Sequence, residues 1–219
     1  MSTQKTPPIS RRSQAERRAG SEQSLLKAAI SVIAEEGMGA VTFDAVSRKS
    51  GLSRGLVTQR FGSKQGLIEA ALARLLDDQA KMLTEQRVDT LPGLDAVLAF
   101  VDFTLRGLGA GDGGRAYAML LSSAIADASE MRARFAQVHA GIERQLEGWI
   151  LRGQREGAIR ADLNADAAGL MVGSLLLGLC TQLLVDPKTK LDPIRETILG
   201  ALRLSLAVPA GTAAQPGRR

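Results

Sequence analysis

The chain has 219 residues, 45% of them hydrophobic and 23% charged, the balance of a globular protein with one sizeable core. Aromatics make up only 3%, so the core must be built from Leu, Ala, Val and Ile, a palette that suits packed helices better than sheets. One cysteine, Cys180, excludes an internal disulfide, and one histidine, His139, excludes most histidine-based catalysis and metal binding.

In chain order, the first twenty residues, "MSTQKTPPISRRSQAERRAG", are polar, carry four arginines and lack the apolar run of a secretory signal. They read as a disordered basic arm (1–20), and the expected location is the reducing cytoplasm. Helical periodicity starts with Leu26, Ala29, Ile30 and Ile33 and ends at Gly37. Thr42 is placed to cap a short second helix with Asp44 in its first turn; that helix stops at Ser50 and Gly51. Ser53 caps a third helix running to about Phe61, Gly62 ends it, and Ser63 opens a fourth with Leu67, Ala71, Leu75 and Met82 on one face. Pro92 opens a fifth, with Leu94, Leu98, Val101, Leu105 and Leu108 at spacings of four and three, until "GAGDGG" breaks it. Further helices are expected at about 115–128, 130–156, 164–185 and 192–207, with a loose tail over 209–219. The fold class is all-α, about nine helices with no strand: a three-helix head over 21–66 and a larger helical body over 67–208.

The charge is uneven. Residues 1–65 hold 11 Lys and Arg against 5 Asp and Glu, a net of +6, while residues 66–219 hold 17 against 18, a net of −1. A basic end on a neutral body is the footprint of a polyanion binder. Two short helices joined by a Gly-containing turn, the second with exposed Arg and Gln, describe a helix-turn-helix. Leu52, Val57 and Phe61 face inward, which leaves Ser53, Arg54, Gly55, Leu56, Thr58, Gln59 and Arg60 outward. Arg grips guanine O6 and N7, Gln grips adenine N6 and N7, and Leu56 suits a thymine methyl. Lys64 and Thr42, each at a helix start, are candidates for backbone phosphates.

The segment "GMGAVTFDAVSRKSGLSRGLVTQRFGSKQGL", residues 37–67, resembles the DNA-binding head of the TetR family of bacterial repressors, and the likeness extends over about 21–76. The shared features are a Gly-containing turn, a Thr opening the second helix, small residues at the turn, a short recognition helix ending in Phe, and a Ser-Lys pair opening the fourth helix. Ser50 stands where Ala is usual; Thr58 and Gln59 stand where Tyr and His are common, and Thr reaches less far toward phosphate. The resemblance implies a homodimer on a palindromic operator in double-stranded DNA, with a ligand pocket in the body.

Residues 167–185, "AAGLMVGSLLLGLCTQLLV", form 19 residues without a charge, the length of a membrane span. Flanking Asp166 and Asp186, with Ser174, Thr181 and Gln182 inside the run, favour a buried helix and no membrane partner. A helix apolar nearly all round needs cover on all sides. A symmetric four-helix seam supplies it, with Gly169, Val172, Leu176, Leu179 and Leu183 on this helix and Ile194, Ile198 and Leu202 on the last. Candidates for lining an effector pocket are Asp102, Thr104, Tyr117, His139 and Trp149; with so few aromatics the small molecule is expected to be apolar. The leading reading is a ligand-released repressor, not an enzyme, with no cofactor and no metal. Two alternatives stand beside it. One is a helical interaction protein that does not bind DNA. The other is a nucleotide-dependent enzyme using "GAGDGG" (109–114), which fits G-x-G-x-x-G but has Arg134 where an acidic residue belongs.

Overall fold

The computed structural model describes residues 14–127 and 130–209; the expectations placed on 1–13 and 210–219 lie outside the described residues. Among the described residues there are nine α-helices: α1 (Gln14–Glu36), α2 (Phe43–Ser50), α3 (Arg54–Phe61), α4 (Lys64–Glu85), α5 (Gly93–Gly109), α6 (Asp112–Ala126), α7 (Glu130–Arg155), α8 (Ala165–Val185) and α9 (Leu191–Leu206). Single 3₁₀ turns sit at Met38–Ala40 and Val88–Thr90.

The starts of the short helices follow from their caps. The hydroxyl of Thr42 accepts from the Ala45 amide (3.1 Å), Ser53 from Leu56 (3.3 Å) and Ser63 from Gly66 (3.0 Å); Asn164 does the same for α8 through Ala167 (2.8 Å). Each satisfies one orphan N–H of the first turn. Two boundaries differ from expectation. Residues 14–20, read as part of the arm, are helical and extend α1 by nearly two turns. Asp112, Gly113 and Gly114 belong to α6, so only Ala110 and Gly111 separate it from α5.

Burial divides into two apolar clusters, and they do not part at residue 66. The first joins Leu25, Val32 and Ile33 of α1, Val46 of α2, Val57 of α3 and Leu67 of α4 to Ala116 and Leu120 of α6 and Phe135 of α7. The head therefore closes its core on a wall supplied by α6. The second cluster packs Val97, Phe100 and Val101 of α5, Leu146 and Ile150 of α7, Val172 of α8 and Leu206 of α9. α7 runs through both. At its far end it meets α5 closely enough that a Cβ on Gly93 would lie 2.2 Å from the Gly153 nitrogen and 2.3 Å from the Trp149 carbonyl oxygen.

Candidate nucleic-acid interface

The tight turn between α2 and α3 is built from backbone and hydroxyls together. Gly51 takes the left-handed conformation (φ 70°) that a side chain disfavours, and its amide donates to the Ser47 carbonyl (3.0 Å). The Ser47 hydroxyl donates to the Leu52 carbonyl (2.6 Å), and the Ser50 hydroxyl accepts from the Leu52 amide (3.2 Å). Ser50 thus ties the turn through a bond that Ala could not make. Val57 is fully buried and pins α3 to α1 and α2.

With Val57 inward, Ser53, Arg54, Gly55, Thr58 and Gln59 are exposed along one side of α3, as the spacing predicts. Arg54 lies 3.4 Å from Asp44 of α2, both in solvent, a pair that a stronger acceptor would replace at small cost. The Thr58 hydroxyl donates back to the Arg54 carbonyl (3.2 Å), which occupies its proton. Thr42 and Lys64 are exposed at the starts of α2 and α4, and the Lys64 ammonium donates to the Met38 carbonyl (3.1 Å), which holds it beside the turn after α1.

Two residues differ from their predicted outward placement. Leu56 is half-buried and packs against the head core, because the start of α3 leans onto it. Arg60 turns toward α1: its side chain is 12% exposed, and its nearest carboxylate is Glu22 at 3.9 Å. The carboxylate it faces, Glu22, lies 38 positions earlier in the chain, a pairing that the local spacing of α3 does not reveal.

The body separates the five pocket candidates. Tyr117 and His139 meet between α6 and α7, oxygen to Nε2 at 2.8 Å, with the Phe135 ring edge-on to Tyr117 at 5.3 Å. Burial raises the Tyr117 pKa and lowers that of His139, against an opposing pull from Glu143. Asp102 lies elsewhere, between Arg106 (2.8 Å) and Arg195, where it ties α5 to α9. The Thr104 hydroxyl donates to the Phe100 carbonyl in its own helix (2.8 Å). Trp149 is buried, packs on Phe100 and donates its indole N–H to Asp89 (3.0 Å). Asp102, Thr104 and Trp149 are therefore satisfied by the protein itself, and only Tyr117 and His139 come together. A cleft that the sequence did not suggest, about 670 Å³, opens where the 109–114 segment faces the ends of α8 and α9, lined by Leu105, Arg115, Cys180, Leu183 and Arg195 among others. Burial pushes the Cys180 thiol up to about 11.

The predicted seam is also redistributed. Gly169, Val172, Leu176 and Leu202 are buried within the chain; Gly169 lets the α7 backbone approach, its absent Cβ lying 3.3 Å from the Glu143 carbonyl oxygen. Leu179, Leu183, Ile194 and Ile198 are half-buried. The apolar residues left outward on these helices are Leu170, Met171 and Val185 of α8 and Leu204 of α9. α8 is long and apolar enough to cross a membrane, with 28% of its most apolar stretch buried.

Residues 25–71 match the model for bacterial regulatory proteins of the tetR family. The matched segment runs from α1 into α4 and contains the whole turn described above. Over these residues the chain is similar to the tetR family of bacterial regulatory proteins. A protein of Rhodococcus sp., described as a TetR-family transcriptional regulator, superposes with a TM-score of 0.71 at 21% identity, covering 86% of this chain and all of that one. FadR of Bacillus subtilis in complex with stearoyl-CoA gives 0.70 at 18% identity, over 84% of this chain and 98% of that one. NalD of Pseudomonas aeruginosa, the secondary repressor of the MexAB-OprM multidrug efflux pump, gives 0.64 at 20% identity, over 88% and 98%. No curated protein matches the sequence. At these identities the solved structures establish the all-helical TetR-family fold. The G-x-G-x-x-G reading fails on geometry: Gly109 closes α5 and Asp112–Gly114 open α6, so a helix and not a strand precedes the segment.

Proposed function

We propose that the chain is a homodimeric repressor that reads a palindromic operator in duplex DNA and is released by a small molecule bound in its helical body. The observation that carries this is the outward row of Ser53, Arg54, Gly55, Thr58 and Gln59 on a helix locked by Val57 and ended by Gly62, inside the segment that matches the family. Arg54 and Gln59 are the base readers; Thr42 and Lys64 hold phosphates on either side. One such helix reads only a few base pairs, and two of them roughly 34 Å apart read an inverted repeat. The second copy packs its α8 and α9 on the outward residues Leu170, Met171, Val185 and Leu204, so this apolar face meets protein instead of lipid and the protein works in the cytoplasm beside its DNA.

The effector reading takes its support from two features of the body and from the fold. The Tyr117–His139 pair offers a polar handle in an apolar wall, and the cleft at 109–114 offers volume. FadR of Bacillus subtilis, with the same fold, was solved with stearoyl-CoA bound. Selection of bound sequences from random duplex DNA, repeated with candidate effectors, tests the whole reading. The expected product is an inverted repeat whose capture an effector abolishes; a pool that stays random at low salt overturns it.

A further inference from the structure

Beside the recognition helix lies a cleft of about 480 Å³ lined by Gln14, Arg17, Arg18, Ser21, Gln59 and Arg60. It exists because α1 begins at Gln14, so that its first turns stand against the end of α3. We propose that this cleft seats a backbone phosphate of duplex DNA, gripped by Arg17 and Arg18 of α1 and Arg60 of α3. The proposal rests on the reading of the chain as a DNA binder and assigns Arg60 a different task, holding the backbone instead of reading a base.

Three observations converge on an anion. First, three guanidinium groups share one cleft, where their mutual repulsion favours a bound negative charge. The carboxylate nearest Arg60, Glu22, is 3.9 Å away, beyond hydrogen-bond length. Second, the Arg60 Nε is buried and has no hydrogen-bond partner, which is costly for a charged donor unless an acceptor completes it. A phosphodiester presents two acceptor oxygens that match the arginine fork. Third, Gln59 lines the same cleft from the outward face of α3, so an anion held there lies beside whatever α3 reads. A strand leaving the groove at the end of α3 brings its next phosphate to this place.

The test compares wild type, the double variant R17A/R18A and R60K on one selected duplex and one random duplex across a salt series. Arg17 and Arg18 are exposed, so their removal leaves the fold intact, which a thermal melt verifies. Each phosphate contact contributes about 0.9 to the slope of log K against log salt. R17A/R18A is expected to lower that slope by about 0.9 and to weaken both duplexes by the same factor. R60K, which keeps the charge and loses the fork, weakens both alike without relaxing the preference between them. An unchanged slope for R17A/R18A overturns the proposal while wild-type binding still supports the DNA reading; a wild type that binds neither duplex overturns both. Inorganic phosphate titrated into the DNA-free protein separates the sources. A melting temperature that rises with phosphate in wild type but not in R17A/R18A, with equal DNA slopes, overturns the phosphodiester assignment in favour of a free oxyanion.

Discussion

Leu170 and Leu204 offer a direct test of how two copies of this chain meet. Leu170 of α8 is 51% exposed and Leu204 of α9 is 84% exposed, so together they leave about 1.35 leucine side chains in water per protomer. Fully burying a leucine is worth roughly 2 kcal/mol, and two protomers double the sum, so covering these two positions supplies about 5 kcal/mol to the dimer. Association also costs ordering and desolvation, which makes that figure an upper bound. Half of it, at 1.4 kcal/mol per decade, is still nearly a hundredfold in the dimer dissociation constant.

The double variant L170A/L204A is therefore expected to weaken self-association by about a hundredfold or more in sedimentation velocity over a dilution series. The variant M82A serves as the control: Met82 is 40% exposed on α4, a helix that packs on α1 and α6, and its removal leaves association unchanged. The melting temperature of the dilute monomer is unaffected, because neither leucine belongs to the internal clusters. If L170A/L204A associates as wild type does, the outward face of α8 and α9 is not the seam, and the spacing argument for a palindromic operator loses its support.

Three further outcomes are expected. Q59A relaxes selection at one base pair per half-site, at a cost of about 1–3 kcal/mol, read as a loss of preference in the selected pool; an unaltered preference removes Gln59 as a reader. G93A drives a Cβ into the Gly153 and Trp149 backbone, forces α5 and α7 apart, and destabilises by about 3 kcal/mol in a urea melt, whereas G148A, with open space around its Cβ position, is neutral or slightly stabilising. His139, whose pKa burial lowers from the usual 6.5, binds fewer protons folded than unfolded, so its contribution to stability is complete above 6.5 and is lost as the pH falls below that value. H139Q should flatten that part of the melting-temperature profile; an identical profile would assign the acid sensitivity to other groups.

What the sequence disclosed follows the range of the forces involved. Thr42, Ser53 and Ser63 cap their own helices within three residues, and Gly51 and Gly62 turn the chain where they stand, so the boundaries of α2, α3 and the start of α4 were legible. The start of α1 was not, because "QAERRAG" has no apolar stripe; it is helical because its Gln, Ala, Glu and Arg extend an already nucleated helix at little cost. The direction of Arg60 was hidden for another reason: Glu22, the carboxylate it faces, lies 38 positions earlier in the chain. α8 is apolar on every side, so nothing in its own pattern says which face turns inward; that is decided by Gly169, where α7 comes close. Trp149 looked like a pocket residue because its partner, Asp89, lies 60 positions away, and pairing at that separation leaves no trace in local spacing.

The shared first core bears on how an effector would reach DNA. A body joined to the head only through α4 could move the head solely by tilting that one helix. Here α6 forms a wall of the head's core through Ala116, Leu120, Leu121 and Ala124, and α7 anchors it through Met131 and Phe135 before continuing into the second core at Leu146 and Ile150. Tyr117 and His139 join these two helices between the cores. A molecule that separates them displaces a packed surface beneath α1, and close packing transmits that displacement to the head instead of absorbing it. Binding shifts the population only by its differential affinity for the two arrangements, and moving it from 1:99 to 99:1 takes about 10⁴-fold. A small effector gains that preference more readily by repacking a wall shared by both cores than by tilting one helix of the head, so under the proposed function the switch lies at the α6–α7 contact rather than along α4.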